Sequence, residues 1–168
     1  PVVIGITDDS KNPCIAVDSL NQLHVAFMKD SDSHPYYQSY FGAWSAAVEL
    51  YNSHITSNLN IEVGFDDAVF VVFSDQYTVG MDTYADMAIL KKQIAWSAID
   101  WLWNLDETHL ANLYFLNYPH MAIGSDGTAY IVAFSELNTG VNQIAFTSWK
   151  NGTWGSVTSL TAGTPYAT

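Results

Sequence analysis

Pro119-His-Met-Ala-Ile123, the turn Gly124-Ser-Asp-Gly-Thr128 and Ala129-Tyr-Ile-Val-Ala-Phe134 run on without a break. After a polar link come Gln143-Ile-Ala-Phe-Thr147 and Lys150-Asn-Gly-Thr-Trp154, with Val157 and Leu160 close behind. Short apolar runs separated by Gly, Asn, Asp and Ser predict a four-stranded antiparallel meander, because those residues supply the backbone conformations that tight turns need. The chain writes this unit more than once. Pro13-Cys-Ile-Ala-Val17, Leu23-His-Val-Ala-Phe27, Tyr36-Tyr37 and Gly42-Ala-Trp44 form an earlier copy. In it Leu23 to Phe27 reads like Tyr130 to Phe134, and Gly42-Ala-Trp44 like Gly152-Thr-Trp154.

A middle copy carries Ile61-Glu-Val63, Val69-Phe-Val-Val-Phe73 and Gln93-Ile-Ala-Trp-Ser97, the last parallel to Gln143-Ile-Ala-Phe-Thr147. The interval is seven residues from Tyr37 to Trp44 and from Trp96 to Trp103, and eight from Phe146 to Trp154. On this alignment Trp44, Trp103 and Trp154 share one repeat position, so they are expected to pack between sheets. Repeats of about 40 to 60 residues with four strands each mark a β-propeller, since one such sheet cannot bury both faces alone. The expected fold is therefore all-β: three four-stranded antiparallel blades at about 13–50, 54–110 and 118–162. Residues 1–5 read as a closing outer strand, 74–92 as an insertion, and 164–168 as the start of a further blade. Met87, Leu90, Ile94, Ala98, Trp101 and Leu102 also fit helical spacing, so 84–91 is open to a short helix, while the repeat register asks for a strand at 92–97.

These motifs together resemble the blades of sialidase-like propellers and related propeller lectins, over about residues 13–160. That resemblance implies a propeller and, by analogy, a ligand at one end of its axis. The corresponding loops hold Asp8, Asp9 and Asn12, then Asn58, Asn60 and Glu62, then Asn117, Tyr118 and His120. The loops joining second and third strands add Asp30, Asp32, His34, Asp75, Tyr77, Asp82 and Glu136. An acid follows the second strand in each copy: Asp30, Asp75, Glu136. Converging, these three would bind a hydroxyl-rich ligand or a cation; the alternative is that they are solubilising turn residues. Aromatics without a repeat role, among them Trp101, Trp149, Tyr36, Tyr77, Tyr84 and Tyr118, are the candidate stacking platforms for sugar rings.

Composition narrows the function. Net charge is −12, with five basic side chains against seventeen acids, and every one of the five is Lys. Such a chain repels phosphate backbones, which excludes nucleic acid as a partner. Self-repulsion on this scale is relieved by salt, so a salt-rich setting and an ordinary acidic secreted protein are both open. The resemblance to sialidases does not extend to their chemistry, because their arginine clamp on the substrate carboxylate has no counterpart here. The turn typical of that family survives only in part, as Ser125-Asp-Gly-Thr128. Asp30-Ser-Asp32-Ser-His34 resembles a fragment of a calcium loop but lacks its glycine and terminal glutamate, so calcium near Asp30 and Asp32 is the one cofactor to look for. No apolar run is long enough for a membrane helix, and no signal peptide is evident. The single Cys14 reads as a buried apolar residue.

The leading expectation is a lectin-like, non-catalytic carbohydrate-binding module, extracellular or virion-associated. The site residues expected are Asp30, Asp75, Glu136, Tyr77, Trp101, Tyr118 and His120. The second is a glycoside hydrolase of sialidase-like ancestry completed by another chain or region; the third is a structural assembly module. Three blades fall short of the four or more that close a propeller, so the chain is either part of a longer propeller or completed by self-association; self-association is expected, with two copies giving six blades.

Overall fold

A computed structural model describes residues 9–79, 82–102, 113–137 and 142–161. Pro1 to Gly5, Asp8, Trp103, residues 164–168 and the side chains of Asp82, Tyr84 and Glu136 lie outside the described residues. Among those described, all regular structure is strand. The first sheet is β1 (Ser10–Val17), β2 (Leu23–Lys29), β3 (Pro35–Tyr40) and β4 (Val48–Glu49), paired in that order. The second is β5 (Ile55–Val63), β6 (Val69–Val79), β7 (Asp82–Lys92) and β8 (Asp100–Trp101). The third is β9 (Leu113–Ile123), β10 (Ala129–Leu137) and β11 (Asn142–Lys150), with β12 (Thr153–Trp154) and β13 (Thr158–Ser159) both paired to β11. All of these pairings are antiparallel. A single parallel pair, Ala85 with Phe115, joins the second sheet to the third.

The turns set the register. Asn21, Asp67 and Gly127 occupy one position in the first hairpin of each sheet, with φ of 61°, 58° and 77°. Asn, Asp and Gly are the residues that adopt this left-handed conformation most readily. Further on, Gly42 and Gly152 share φ values of 73° and 79° two residues before a Trp. Backbone bonds then fix the Trp position: Ser45 N to Ser39 O, Ser97 N to Lys91 O and Gly155 N to Ser148 O, at 2.7–2.8 Å. The residues preceding those donors are Trp44, Trp96 and Trp154. Trp96, not Trp103, is therefore the middle copy of the repeat tryptophan.

The middle sheet differs from its sequence reading in a second way. Residues 74–92 are no insertion beside the sheet. They are the paired ends of β6 and β7, in register from Val69–Lys92 to Val79–Asp82. Residues 93–97 are the turn that presents Trp96, and 84–92 is strand. Met87-Ala-Ile-Leu90 is buried on both faces of the sheet, so it shows no alternation for a strand reading to detect.

Two cores hold the stack together. Ala26 and Tyr37 of the first sheet pack against Ile61, Val69, Val71, Phe73, Ala88 and Leu90 of the second. Phe70, Val72, Met87 and Ile89, on the second sheet's other face, pack against Met121, Ala129, Ile131, Ala133, Ala145 and Trp149 of the third. Phe70 and Phe73 are both fully buried on opposite faces of β6, which makes that strand the centre of the molecule. Cys14 is half-buried at the first core, its thiol pushed up to about 12 by that burial. His24 is buried, 2.7 Å from the Tyr37 hydroxyl and 3.3 Å from Asp18; burial lowers its proton affinity.

Candidate functional site

Each inner strand breaks its ladder near its start. The irregularities lie between Lys11 and Cys14, between Ser57 and Leu59, and opposite Val132 and Phe134. Each bulge holds one residue in the left-handed region: Asn12 at φ 51°, Asn58 at 48° and Tyr118 at 53°. Asparagine tolerates this; tyrosine pays for it with about 1–3 kcal/mol of local strain. The three bulges, with Pro13, Leu59, Pro119 and His120, line a pocket of about 210 Å³. Tyr118 is 61% exposed at its rim. Bulges that re-aim side chains are a recurrent device at binding sites. Tyr118→Gly is expected to raise the free energy of unfolding by about 1 kcal/mol in a urea titration, through release of that strain.

A second constellation lies at the same end of the strands, between the first and second sheets. His54, in the link from β4 to β5, brings Nδ1 to 2.9 Å from Asp75 Oδ2. The Tyr51 hydroxyl is 2.9 Å from the same nitrogen and 3.3 Å from the same oxygen. The consistent assignment has Nδ1–H and the Tyr51 O–H both donating to the carboxylate, which leaves Nε2 as the ring's acceptor. The Asp75 side chain is 2% exposed against 34% for His54, so the acid lies beneath and the imidazole opens to solvent. Burial pushes the Asp75 carboxyl above its ordinary range despite those donors, and its Oδ1 is buried without a partner. Burial, then the Asp75 charge, pushes the Tyr51 phenol up to about 12. Tyr77 stands 6.0 Å from the His54 ring, and Trp101 meets Tyr51 edge-on at 5.4 Å. Phe73 underlies both, at 5.7 Å from Tyr51 and 6.4 Å from Trp101.

The structure thus gathers Asp75, Tyr77 and Trp101 in one place, and Tyr118 with His120 in another. It does not bring Asp30 and Asp75 together. Counted from Asn21, Asp67 and Gly127, Asp75 stands one residue earlier than Asp30 and Glu136. One residue turns a side chain to the other face of a strand. The same count pairs Leu23 with Ala129 and not with Tyr130, a one-residue slip in the sequence alignment. Asp30 is an exposed partner of Lys11 at 2.7 Å. Glu136 pairs in β10 opposite Phe115 and Asn142.

Calcium between Asp30 and Asp32 does not fit either, since Asp30 turns to Lys11. Asp32 instead groups with His34 and Glu49, whose ligand atoms lie within 4.8 Å of one another. An imidazole with two carboxylates suits zinc or manganese better than calcium. Hydrogen bonds already explain the grouping: His34 Nδ1 to Glu49 Oε1 at 2.8 Å, and the Tyr36 hydroxyl to both acids at 3.2–3.3 Å. On the far side of the second and third sheets a cleft of about 430 Å³ is lined by Trp96, Asp100 and Trp149. There Trp149 is buried and its Nε1 donates to Asp100 Oδ2 at 2.6 Å, so it serves as a tie between sheets and offers little ring face.

No family model and no curated protein matches the sequence. Solved structures do. A Hadza microbial sialidase matches with a TM-score of 0.64 at 10% identity, covering 86% of this chain and 36% of its own. A fucose lectin from Kordia zhangzhouensis, solved with methyl-fucoside, matches at 0.55 and 14%, covering 90% of this chain and 100% of its own. The polysaccharide lyase Uly1 matches at 0.57 and 12%, covering 89% and 40%. The fold is one shared with sialidase-like propellers. This chain spans little more than a third of the sialidase and the whole of the lectin.

Proposed function

We propose that the chain is a lectin-like carbohydrate-binding module that takes a glycan at the loop end between its first two sheets. The observation that carries this reading is the ring faces of Tyr51, Tyr77 and Trp101 grouped about a carboxylate–imidazole pair. Sugars present C–H faces that stack on aromatic rings and hydroxyls that donate to carboxylates, and small-ligand sites combine an aromatic lining with a few placed polar groups. The bulge pocket with Asn12, Asn58, Tyr118 and His120 extends the same end with further donors and acceptors. The likeness to a lectin of the same extent supports the fold; the class of ligand rests on the side chains.

A glycan array followed by calorimetry on the best-bound sugar tests the proposal. Tyr77→Ala and Trp101→Ala are each expected to weaken binding about two- to tenfold, from loss of stacking worth about 0.5–1.5 kcal/mol. Unchanged affinity in both, with the fold intact by circular dichroism, would sink it.

One observation favours a second reading, glycoside hydrolysis. Asp86 stands directly across from Asp75 in the β6–β7 ladder, and both are buried. Hydrolases work with two carboxylates about 5–10 Å apart, one of them with raised pKa. Reducing ends released from the bound glycan, and lost in Asp75→Asn, would favour that chemistry over binding alone.

A further inference from the structure

The two cores are built from one recurring contact. Cross-strand pairs Ile15–Val25, Ile61–Val71 and Met121–Ile131 occupy equivalent positions in the three sheets. In the second sheet this face packs on the first, and in the third sheet it packs on the second. The opposite face carries His24, Ala26 and Tyr37 in the first sheet, Phe70, Val72 and Ile89 in the second, and Tyr130, Val132 and Phe146 in the third, by the same register. Each core therefore joins the back face of one sheet to the front face of the next.

Applied to the ends of the stack, this rule leaves one front face and one back face with no sheet of the described residues against them. On the first sheet's front face the strand β1 exposes Ile15 at 59% and Val17 at 52%, while Val25 and Phe27 of β2 on the same face are buried. The third sheet's back face exposes Tyr130 at 45% and Ile144 at 38%. On that back face Ala122, Tyr130, Val132 and Phe146 line an apolar hollow of about 280 Å³ with His120 and Met121. Patches of this kind on both ends of one molecule are unusual unless something covers them. The two free faces are also of complementary kind, since they are the two halves of a contact made twice inside the chain.

We propose that a second copy of this chain covers them, front face of one on back face of the other, so that two copies close head to tail through two identical interfaces. Ile15 of the second copy then takes, against Tyr130, Val132 and Phe146, the place that Met121 takes against Phe70, Val72 and Ile89. Closure also completes the bulge pocket: Asn12 lies on the first sheet and Tyr118 on the third, so each seam brings the inner strand of a second copy beside the pocket's open side. This inference stands on packing alone and does not depend on what the loop end binds. A net charge of −12 on each copy opposes association at low ionic strength, and the Debye length falls from about 30 Å at 0.01 M to about 3 Å at 1 M.

Light scattering across that range is expected to give a mass of two chains, strengthened by salt. Ile15→Glu alters only the front face and Tyr130→Glu only the back face. Each variant, folded by circular dichroism, is expected to have the mass of one chain. Mixing the two restores a two-chain species, because the unaltered back face of the first meets the unaltered front face of the second. Either variant keeping the wild-type two-chain mass overturns the head-to-tail contact, as does a mixture that stays at one chain. Wild-type protein with the mass of a single chain throughout the salt series overturns association altogether, in favour of further sheets beyond this sequence.

Discussion

Phe73→Ala is expected to cost about 3–5 kcal/mol of stability, the largest effect of any single substitution considered. Phe73 is fully buried on β6, on the face turned to the first sheet. Its removal leaves a cavity bordered by Val71, Ala88 and Leu90, short side chains on rigid strands that cannot swing into the space. Domains of this size are typically stable by about 5–15 kcal/mol, so the loss takes about a fifth or more of the total. The measurement is a urea titration, read as a fall in midpoint at constant slope. The contrast is Phe65→Ala: Phe65 sits in the turn after Gly64, 87% exposed, and its loss should stay within about 0.5 kcal/mol. Phe73 also floors the candidate site, with Tyr51 and Trp101 resting on it. Glycan affinity should fall in this variant even under conditions where it remains folded.

How far the sequence announced this arrangement depends on which residues repeat. The turns at Asn21, Asp67 and Gly127, and the Gly-x-Trp pairs of the first and third sheets, are local conformations that need particular residues, and they were legible. The middle sheet misled because Gln93-Ile-Ala-Trp-Ser97 imitates a strand of the third sheet residue for residue, while the real strand, Asp82–Lys92, is buried on both faces in its inner half and lacks a period. Trp96 was consequently read as a strand residue and its repeat role given to Trp103. The acids show how sharply register matters: one residue separates Asp75 from its supposed counterparts, and Asp75 enters the interface while Asp30 stays exposed. Asp75, Tyr77 and Trp101 were legible as non-repeating polar and aromatic residues at one end. Tyr51 and His54 were missed because the β4–β5 link has no repeat of its own. The available signal was that a Tyr and a His stand three residues apart just before an inner strand.

Asp75→Asn should separate stability from function. Burial raises the Asp75 carboxyl above its unfolded value, so the ionised form is the one the fold disfavours. The sign follows from linkage: an acid with a raised folded pKa adds stability below its unfolded pKa, near 3.9, and that contribution is lost as pH rises through the folded value. Wild type should therefore lose ground to Asp75→Asn as pH rises from the unfolded value near 3.9 through the raised folded one, ending the less stable of the two, and the two should converge at the acid end. Thermal melts at several pH values read this directly; a variant less stable than wild type at pH 7 would show that the His54 and Tyr51 bonds outweigh burial of the charge. Glycan affinity should move the other way. A neutral amide accepts more weakly from His54 and Tyr51, so the imidazole that opens to solvent is held less firmly, and binding should weaken about tenfold to a hundredfold, the range for hydrogen bonds to a charged group. A variant more stable and yet weaker in binding identifies Asp75 as a buried charge kept at a cost for what it holds at the surface.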